Sequence, residues 1–312
     1  MICVKAGMRT KTNSTQVLYF TLTAYFDTGL FKYLYFIIVM SLYMITVGSN
    51  VLLIVVICVN RSLHEPMYMF LCSLFVNELY GSTGLFPFLL LQILSDVHTV
   101  SAPLCFLQVY CLCVYGSVEF FILGVMSYDR YLAICYPLHY NTRMTCCKVV
   151  VITAFMWLYS ALTTAVVICL SASLQLCGNI IYRVYCHNSM LNLICSDTPV
   201  NDVLGYLFSL FLGLVLLIIY SYMRILKVCF SGSKQTRQKA VSTCTPHLAS
   251  LLNFSFGCFF DVLQSWFDMS RVPNILCIFL SLYYITCQPL FNPLIYGLKV
   301  SKICSLCKAY LQ

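Results

Sequence analysis

Long stretches free of charged side chains constrain the fold of this 312-residue chain more than any other feature. Five stretches carry no charged residue, and two more contain a single acid each, Glu78 and Glu119. A helix needs about 20 mainly apolar residues to cross about 30 Å of hydrocarbon, and every one of these stretches is long enough. The sequence therefore predicts an all-α membrane protein, a bundle of seven transmembrane helices with spans near residues 33–59, 66–93, 103–136, 149–171, 200–227, 238–262 and 271–297.

The composition indicates that lipid rather than water surrounds most of this chain. Charged residues make up only 9% of it and hydrophobic residues 61%, whereas a soluble domain carries about 25% charged residues. Most of the 20 cysteines lie in apolar stretches, where cysteine acts as a small hydrophobe, and none forms a zinc-finger pattern with histidines. We therefore expect a single domain over residues 1–312, a short C-terminal amphipathic helix and no metal centre built from cysteines.

The lysines and arginines predict how the chain is oriented. With the N-terminus outside, 12 of them lie on the inner side and 6 on the outer side, as the positive-inside rule requires. The net charge of +8 is then explained by membrane sidedness, and nucleic-acid binding is not indicated. Asn13 begins an Asn-Ser-Thr glycosylation sequon on the predicted outer side. We expect a multi-pass protein of the plasma membrane.

Two short motifs lie at the inner ends of the third and seventh spans. Asp129-Arg130-Tyr131 places an acid beside a base, so the pair can be neutral at the membrane face and still hold Arg130 for another partner. Such a cluster alone is more often an ordinary solvated helix end. Pro293 removes a backbone donor between Asn292 and Tyr296, which predicts a kink whose freed carbonyl groups need polar partners.

Longer motifs carry a family resemblance that covers nearly the whole chain. LHEPMYMFLCSL (63–74), MSYDRYLAIC (126–135), KAVSTCTPHL (239–248) and PLFNPLIY (289–296) occur in that order. Together they resemble the vertebrate odorant receptors of the rhodopsin-like G-protein-coupled class, in a form similar to the fish-type members. Glu78 departs from the pattern, because most members have aspartate there.

The resemblance implies an odorant receptor that binds a small organic molecule and activates a stimulatory, olfactory-class heterotrimeric G protein to raise cAMP. Its switch residues at the inner side are expected to be Asp129, Arg130, Tyr131, Tyr222, Asn292, Pro293 and Tyr296.

Four cysteines on the predicted outer side should form disulfides, because that side is oxidising. They are Cys105, Cys177, Cys186 and Cys195, and the sequence alone leaves three pairings open. The family resemblance implies Cys105–Cys186 and Cys177–Cys195.

A ligand pocket is expected in the outer half of the bundle, between spans three, five, six and seven. Each candidate taken alone is more often a packing residue than a ligand contact. Such a cavity would be mostly apolar with a few hydroxyl groups, which suits a small, weakly polar ligand. Helical spacing nominates Leu112, Cys113, Gly116, Ser117, Tyr206, Leu210, Ser255, Cys258, Phe259, Val262, Leu282 and Ile285.

The acids Glu78 and Glu119 are predicted to lie near the middle of the membrane. Glu119 precedes Arg130 by eleven residues, or about 16 Å of helix, and Asn50 should reach a similar depth. Two ionised carboxylates there would repel, so either one binds a proton or both share a cation such as sodium. Each acid could instead hydrogen-bond, in its protonated form, to a neighbouring helix.

Other functions are less well supported by the sequence. The seventh span has no lysine for a retinal Schiff base, and Leu112 occupies the place where an amine receptor has a carboxylate. No nucleophile–base pair or HExxH motif indicates an enzyme. A membrane transporter would show inverted repeats, which are absent from the sequence. A chemosensory receptor outside olfaction is the remaining alternative, and no cofactor other than the sodium ion is implied.

Overall fold

The computed structural model describes residues 17–25, 29–174, 176, 178–187, 215–216, 218–225, 227, 234–266, 274–300 and 302–306. Its long helices are α1 (Phe31–Val59), α2 (Pro66–Leu94), α3 (Ala102–Cys135), α5 (Cys146–Ala172), α7 (Lys234–Trp266) and α8 (Asn274–Lys299), and α4 (Tyr140–Arg143) is a single turn. Residues 215–216, 218–225 and 227 are also helical and are labelled α6. A short helix at residues 302–306 follows α8.

The long helices lie where the apolar stretches predict spans. Among the described residues, α1, α2, α3 and α5 are long and apolar enough to cross a membrane. The helix α7 extends about four residues beyond both ends of the predicted span 238–262. A helix satisfies its own backbone groups, so it can continue past the hydrocarbon into water. The first half of the predicted fifth span, from residue 200, lies outside the described residues.

The helix α2 is at the centre of the bundle. It packs against α1, α3, α5 and α8, while α7 packs against α8 and α3. Leu71, Leu74 and Phe75 of α2 are fully buried against Val118 and Ile122 of α3. Residues on α2 are therefore able to contact most of the other helices.

Local sequence signals fix where several helices begin. Pro66 stands in the first turn of α2, where a backbone N–H would have no partner within the helix. The Thr145 hydroxyl caps α5 by accepting a hydrogen bond from the Lys148 N–H at 3.5 Å. A 3₁₀ turn at Pro137–His139 and the α4 turn connect α3 to α5 on the inner side.

The end of the bundle that the sequence predicts to be outside carries a small β-sheet, which the sequence did not indicate. Strand β1 (Tyr19–Leu22) lies between β2 (Thr99–Ser101) and β3 (Ile180–Ile181). It runs antiparallel to β2 and parallel to β3. Phe20 and Leu22 of β1 are buried in an apolar cluster with Val100 and Ile181. The segment before α1 is thereby fixed to the loops before α3 and after α5.

A disulfide joins α3 to the outer loop that follows α5. Cys105 and Cys186 form it, with their Cα atoms 5.4 Å apart, as the family resemblance implies. The backbone N–H of Cys186 also donates to the Gln108 side-chain oxygen at 2.9 Å. Cys177 and Cys195, the second predicted pair, both lie outside the described residues, as does Asn13. The loop is therefore held to α3 at two neighbouring points.

We expect Cys105→Ser or Cys186→Ser to prevent most of the protein from reaching the cell surface. Loss of a native disulfide from an extracellular region costs about 2–5 kcal/mol. The exposed free thiol Cys169 offers a matched control, and Cys169→Ser should leave delivery unchanged. Flow cytometry of the epitope-tagged protein on intact cells measures the effect. Normal delivery of both cystine variants would show that the loop does not need its covalent bond.

Candidate functional site

The inner end of α3 holds an ion pair between neighbouring residues. Arg130 donates to the Asp129 carboxylate from Nη2 at 2.5 Å and from Nε at 3.1 Å. The Tyr140 hydroxyl donates to the other Asp129 oxygen at 2.8 Å. The Asp129 side chain is only 1% exposed and that of Arg130 is 13% exposed. Tyr140 belongs to the loop after α3, so this loop helps to hold the acid that restrains Arg130.

Three further residues form an aromatic group between α6, α7 and α8. Tyr296 of α8 is fully buried, and its hydroxyl lies 3.5 Å from Nδ1 of His247 on α7. The rings of His247 and Tyr222 of α6 are 5.9 Å apart. His247 was not predicted as a site residue, although it lies within the KAVSTCTPHL motif. Its ring connects two predicted switch tyrosines, Tyr222 and Tyr296.

The two buried acids meet around one amide group. Nδ2 of Asn292 donates to Oε1 of Glu78 and, at 3.2 Å, to Oε1 of Glu119. The Tyr115 hydroxyl donates to Glu78 at 3.0 Å, and the Asn77 amide donates to Glu119 at 2.9 Å. Both carboxyl groups are fully buried. The structure thus brings α2, α3 and α8 together at one polar site in the apolar bundle, which we call the acid site (Glu78, Glu119 and Asn292).

Polar side chains continue from the acid site towards the outer end of α7 and α8. The Gln288 amide donates to Glu119 at 3.2 Å, and its carbonyl oxygen accepts from the Asn253 amide at 2.5 Å. The Tyr283 hydroxyl donates to Asn253 at 2.6 Å. Sequence reasoning missed these three residues, because an uncharged polar residue within a span does not reveal which helix it faces. They form a continuous hydrogen-bonded path, the polar chain (Tyr283, Asn253 and Gln288).

Asn50 stabilises the proline-containing part of α8. Because Pro293 has no N–H, the Pro289 carbonyl loses its partner within the helix. The Asn50 amide donates to this carbonyl at 2.9 Å, as the need of a kinked helix for polar partners predicts. No described residue links Asn50 to either acid by a hydrogen bond, and among those residues its buried Oδ1 has no partner. Asn50 therefore holds the proline-containing segment of α8 beside the acid site.

The outer half of the bundle brings together only part of the predicted pocket. Leu112 and Ile285 are buried in one apolar cluster with Tyr185, and Leu282 packs against it. The loop carrying Tyr185 covers this cluster, because the Tyr185 hydroxyl donates to the Ser281 carbonyl at 3.0 Å. Arg183 of the same loop donates to the Ser281 hydroxyl at 3.2 Å.

Several other predicted pocket residues lie elsewhere. The Ser117 hydroxyl is 3.0 Å from that of Ser160 on α5, so it joins two helices instead of facing the cluster. Cys113 packs in the group around the disulfide. Cys258 packs near Phe120 and Phe254, in a separate cluster.

Two of the remaining candidates lie on the face of α7 that points away from the bundle. Ser255 is exposed on the same face as Leu252, and Phe259, which is 58% exposed, lies on that face too. Placing Ser255 and Phe259 in the pocket was therefore wrong for this arrangement, because the inward face of α7 carries Phe254. Gly116 is partly buried on α3. Tyr206 and Leu210 lie outside the described residues, and the side chain of Val262 is not described.

The arrangement of the helices is similar to that of a solved structure. Squid rhodopsin superposes on it with a TM-score of 0.73, covering 92% of this chain and 87% of that chain, at 17% sequence identity. This likeness confirms the predicted bundle of seven transmembrane helices.

Sequence comparison then identifies the family. The family model described as "Olfactory receptor" matches residues 39–312. Human olfactory receptor 10A3 is 34% identical over 84% of each chain, and mouse olfactory receptor 5P62 is 31% identical over 93% of each chain. The chain belongs to the olfactory receptor family. It is an odorant-sensing G-protein-coupled receptor and not an enzyme, as predicted, whereas its likeness to fish-type members stays a prediction.

A glycine of α2 makes room for the tyrosine that binds Glu78. A Cβ atom added at Gly81 would lie 2.6 Å from Cγ of Tyr115, which is too close for carbon atoms. A Cβ atom added at Gly48 of α1 would have no atom within 4 Å. The acid site thus depends on the absence of a side chain at Gly81.

We expect Gly81→Ala to displace Tyr115 and weaken its hydrogen bond to Glu78. Overpacking of this kind costs about 1–3 kcal/mol, so the Tm of the purified receptor should fall. Gly48→Ala is the control, and its Tm should stay equal or rise slightly, because alanine favours helix over glycine. Thermal unfolding followed by cysteine-reactive fluorescence measures both. Equal Tm values for the two variants would contradict the close contact.

Proposed function

We propose that this receptor lies in the plasma membrane with its N-terminus outside and binds a small, weakly polar odorant in the outer half of the bundle. The bound receptor activates a stimulatory heterotrimeric G protein, which raises cAMP. The observation that carries this proposal is the restrained arginine at the inner end of α3. Arg130 is held by Asp129, and Asp129 is held in turn by Tyr140 of the inner loop.

The ion pair at Arg130 supports a switch that can open. Its two residues are adjacent in sequence, so the pair does not itself tie α3 to another helix. Release of Asp129 by movement of Tyr140 would free the guanidinium group for a new partner. A G protein that binds the inner loops would favour that released state, because a ligand shifts an equilibrium by its preference for one state.

The outer apolar cluster supports the choice of ligand. Leu112, Leu282 and Ile285 offer apolar contact, and Tyr185 covers them. Such surroundings favour a small molecule with few charges. The polar chain begins with Tyr283 on the same helix as Leu282 and ends at the acid site. An odorant that moves this part of α8 would therefore disturb the hydrogen bonds of Glu119.

We expect Arg130→Ala to abolish the cAMP response to every odorant that activates the parent receptor, since no other described residue presents a cation at that position of α3. A panel of odorants applied to cells expressing each form, with cAMP as the readout, tests the proposal. Arg61→Ala removes an exposed cation from another inner loop and should leave the response intact. An Arg130→Ala receptor that reaches the surface and signals normally would refute the assigned role.

A second proposal concerns the charge of the acid site, which a sodium ion or a proton would balance. Glu78 and Glu119 share one amide donor, and neither makes an ion pair with any described residue. Two unbalanced negative charges would be costly at this depth. Oxygen atoms of Asn50, Asn77 and Ser82 nearby are buried and lack hydrogen-bond partners among the described residues. Sodium or low pH would thus favour the inactive bundle.

We expect basal cAMP of the parent receptor to fall as sodium rises or pH drops. Glu78→Gln and Glu119→Gln should each blunt both dependences, because an amide neither binds a proton nor attracts a cation. Measurements on surface-matched cells across sodium concentrations and pH values check this. Asp96→Asn, which removes an exposed outer acid, is the control. If both glutamine variants keep the parent's basal activity, ion response and agonist potency, the acids serve packing alone.

A further inference from the structure

Aromatic and basic side chains gather on the inner side of α3 and α6. The ring centroids of Tyr131 and Tyr136 are 5.7 Å apart, and that of Tyr220 is 6.4 Å from Tyr131. The Arg224 side chain of α6 lies close to the side chains of Tyr131 and Tyr136. The end of α3, the loop after it and α6 thus meet through side chains that include no carboxylate.

Two more cations extend this group. The Arg143 guanidinium carbon lies 5.6 Å from the centre of the Tyr136 ring, within the range of a cation–π contact. The Lys148 ammonium donates to the Arg143 carbonyl at 3.2 Å. We call Tyr131, Tyr136, Arg143, Lys148 and Arg224 the inner basic cluster.

The positive charge of the inner basic cluster is not balanced within the described part of the chain. The ion pairs found there are Lys32–Asp96, Arg130–Asp129 and Lys302–Glu65. None involves Arg143, Lys148 or Arg224, so three cations stand without a carboxylate partner among the described residues. An anionic partner would gain attraction from all three while breaking no ion pair.

The apolar residues beside the cluster indicate that this partner is a lipid. On α6, Ile219 is 52% exposed, Tyr220 57% and Met223 62%, as expected for side chains that face hydrocarbon. Arg224 follows them directly along the helix. A phospholipid bound here would lay its acyl chains on Ile219 and Met223 and place its headgroup among the arginines.

We propose that the inner basic cluster binds the headgroup of a polyphosphorylated inositol lipid of the inner leaflet. Guanidinium groups bind phosphate oxygens in pairs, and phenol hydroxyl groups can donate to the same oxygens. Several phosphates match three cations better than the single net charge of phosphatidylserine. Basic pockets between helices on the cytoplasmic side are suited to such headgroups. The leaflet named here rests on the orientation given under Proposed function.

The test is lipid binding to purified receptor in phosphatidylcholine nanodiscs. Short-chain phosphatidylinositol 4,5-bisphosphate is titrated, and bound lipid is measured by native mass spectrometry, with phosphatidylserine as the comparison. Both faces of a nanodisc are accessible and neither odorant nor G protein is needed. Failure of the proposed orientation or signalling would therefore leave this result unaffected, and antibody access to a terminal tag on intact cells tests the orientation separately.

Two double variants that remove the same charge, one inside the cluster and one outside it, distinguish a specific lipid site from nonspecific electrostatic attraction. A lysine or arginine near an anionic lipid contributes roughly fivefold in affinity, so R143Q/R224Q should weaken inositol-lipid binding by roughly 25-fold. R61Q/K302Q removes the same charge from the same side outside the cluster and should weaken it by less than about threefold, given screening over that distance. Tyr136→Phe changes no charge and should still weaken binding by a few-fold.

Each other outcome overturns the proposal. Equal weakening in both double variants, with Tyr136→Phe unaffected, would show a diffuse electrostatic attraction. If phosphatidylserine bound as tightly as the inositol lipid, the cluster would not be selecting a headgroup that carries several phosphates. Unchanged lipid binding by R143Q/R224Q together with weaker G-protein binding would assign the cluster to a protein partner. Tyr136→Phe removes a single oxygen atom, so it keeps the test decisive if the double variant does not fold.

Discussion

Two carboxyl groups buried at the centre of an apolar bundle govern the arrangement of the helices around them. Glu78 and Glu119 are fully buried, and every group that satisfies them comes from α2, α3 or α8. An unsatisfied polar group in hydrocarbon costs several kcal/mol. The helices that supply these partners are therefore held in position and register by the acids, as well as by the contact of their apolar side chains.

The same constraint makes the acid site sensitive to a displacement of α8. Towards the outside, Glu119 is linked to Tyr283 through Gln288 and Asn253. On the inner side of Asn292 lies Pro293, and the Pro289 carbonyl that this proline leaves without a partner, one turn back along α8, is held by Asn50. A displacement of α8 must break or exchange hydrogen bonds at the acid site. Movement of α8 is coupled to the acid site if a few buried groups have two alternative sets of hydrogen-bond partners.

A feature of the fold or of the site can be predicted from the sequence when the residues that specify it lie close together along the chain. A run of about 20 apolar residues identifies a span without reference to any other part of the chain, and an acid within it stands out because it is rare. Glu78, Glu119 and the Arg130 region were found for these reasons. By contrast, β1 pairs with strands that lie about 80 and 160 residues away. No local pattern in YFTL specifies such distant partners.

The orientation of each helix about its own axis sets the other limit, because it decides which candidate pocket residues lie in the outer apolar cluster and which lie elsewhere. Neighbouring positions on a helix differ by about 100°, so an error of one position can turn a residue from the bundle to the lipid. Ser255 directly follows the buried Phe254, yet it is exposed. In a soluble helix the polar residues would mark the outer face, but in a membrane both faces are apolar. Buried polar residues such as Ser250 and Gln288 do mark the inward face of α7 and α8 here. They can be recognised as such only once the position of Glu119 is known.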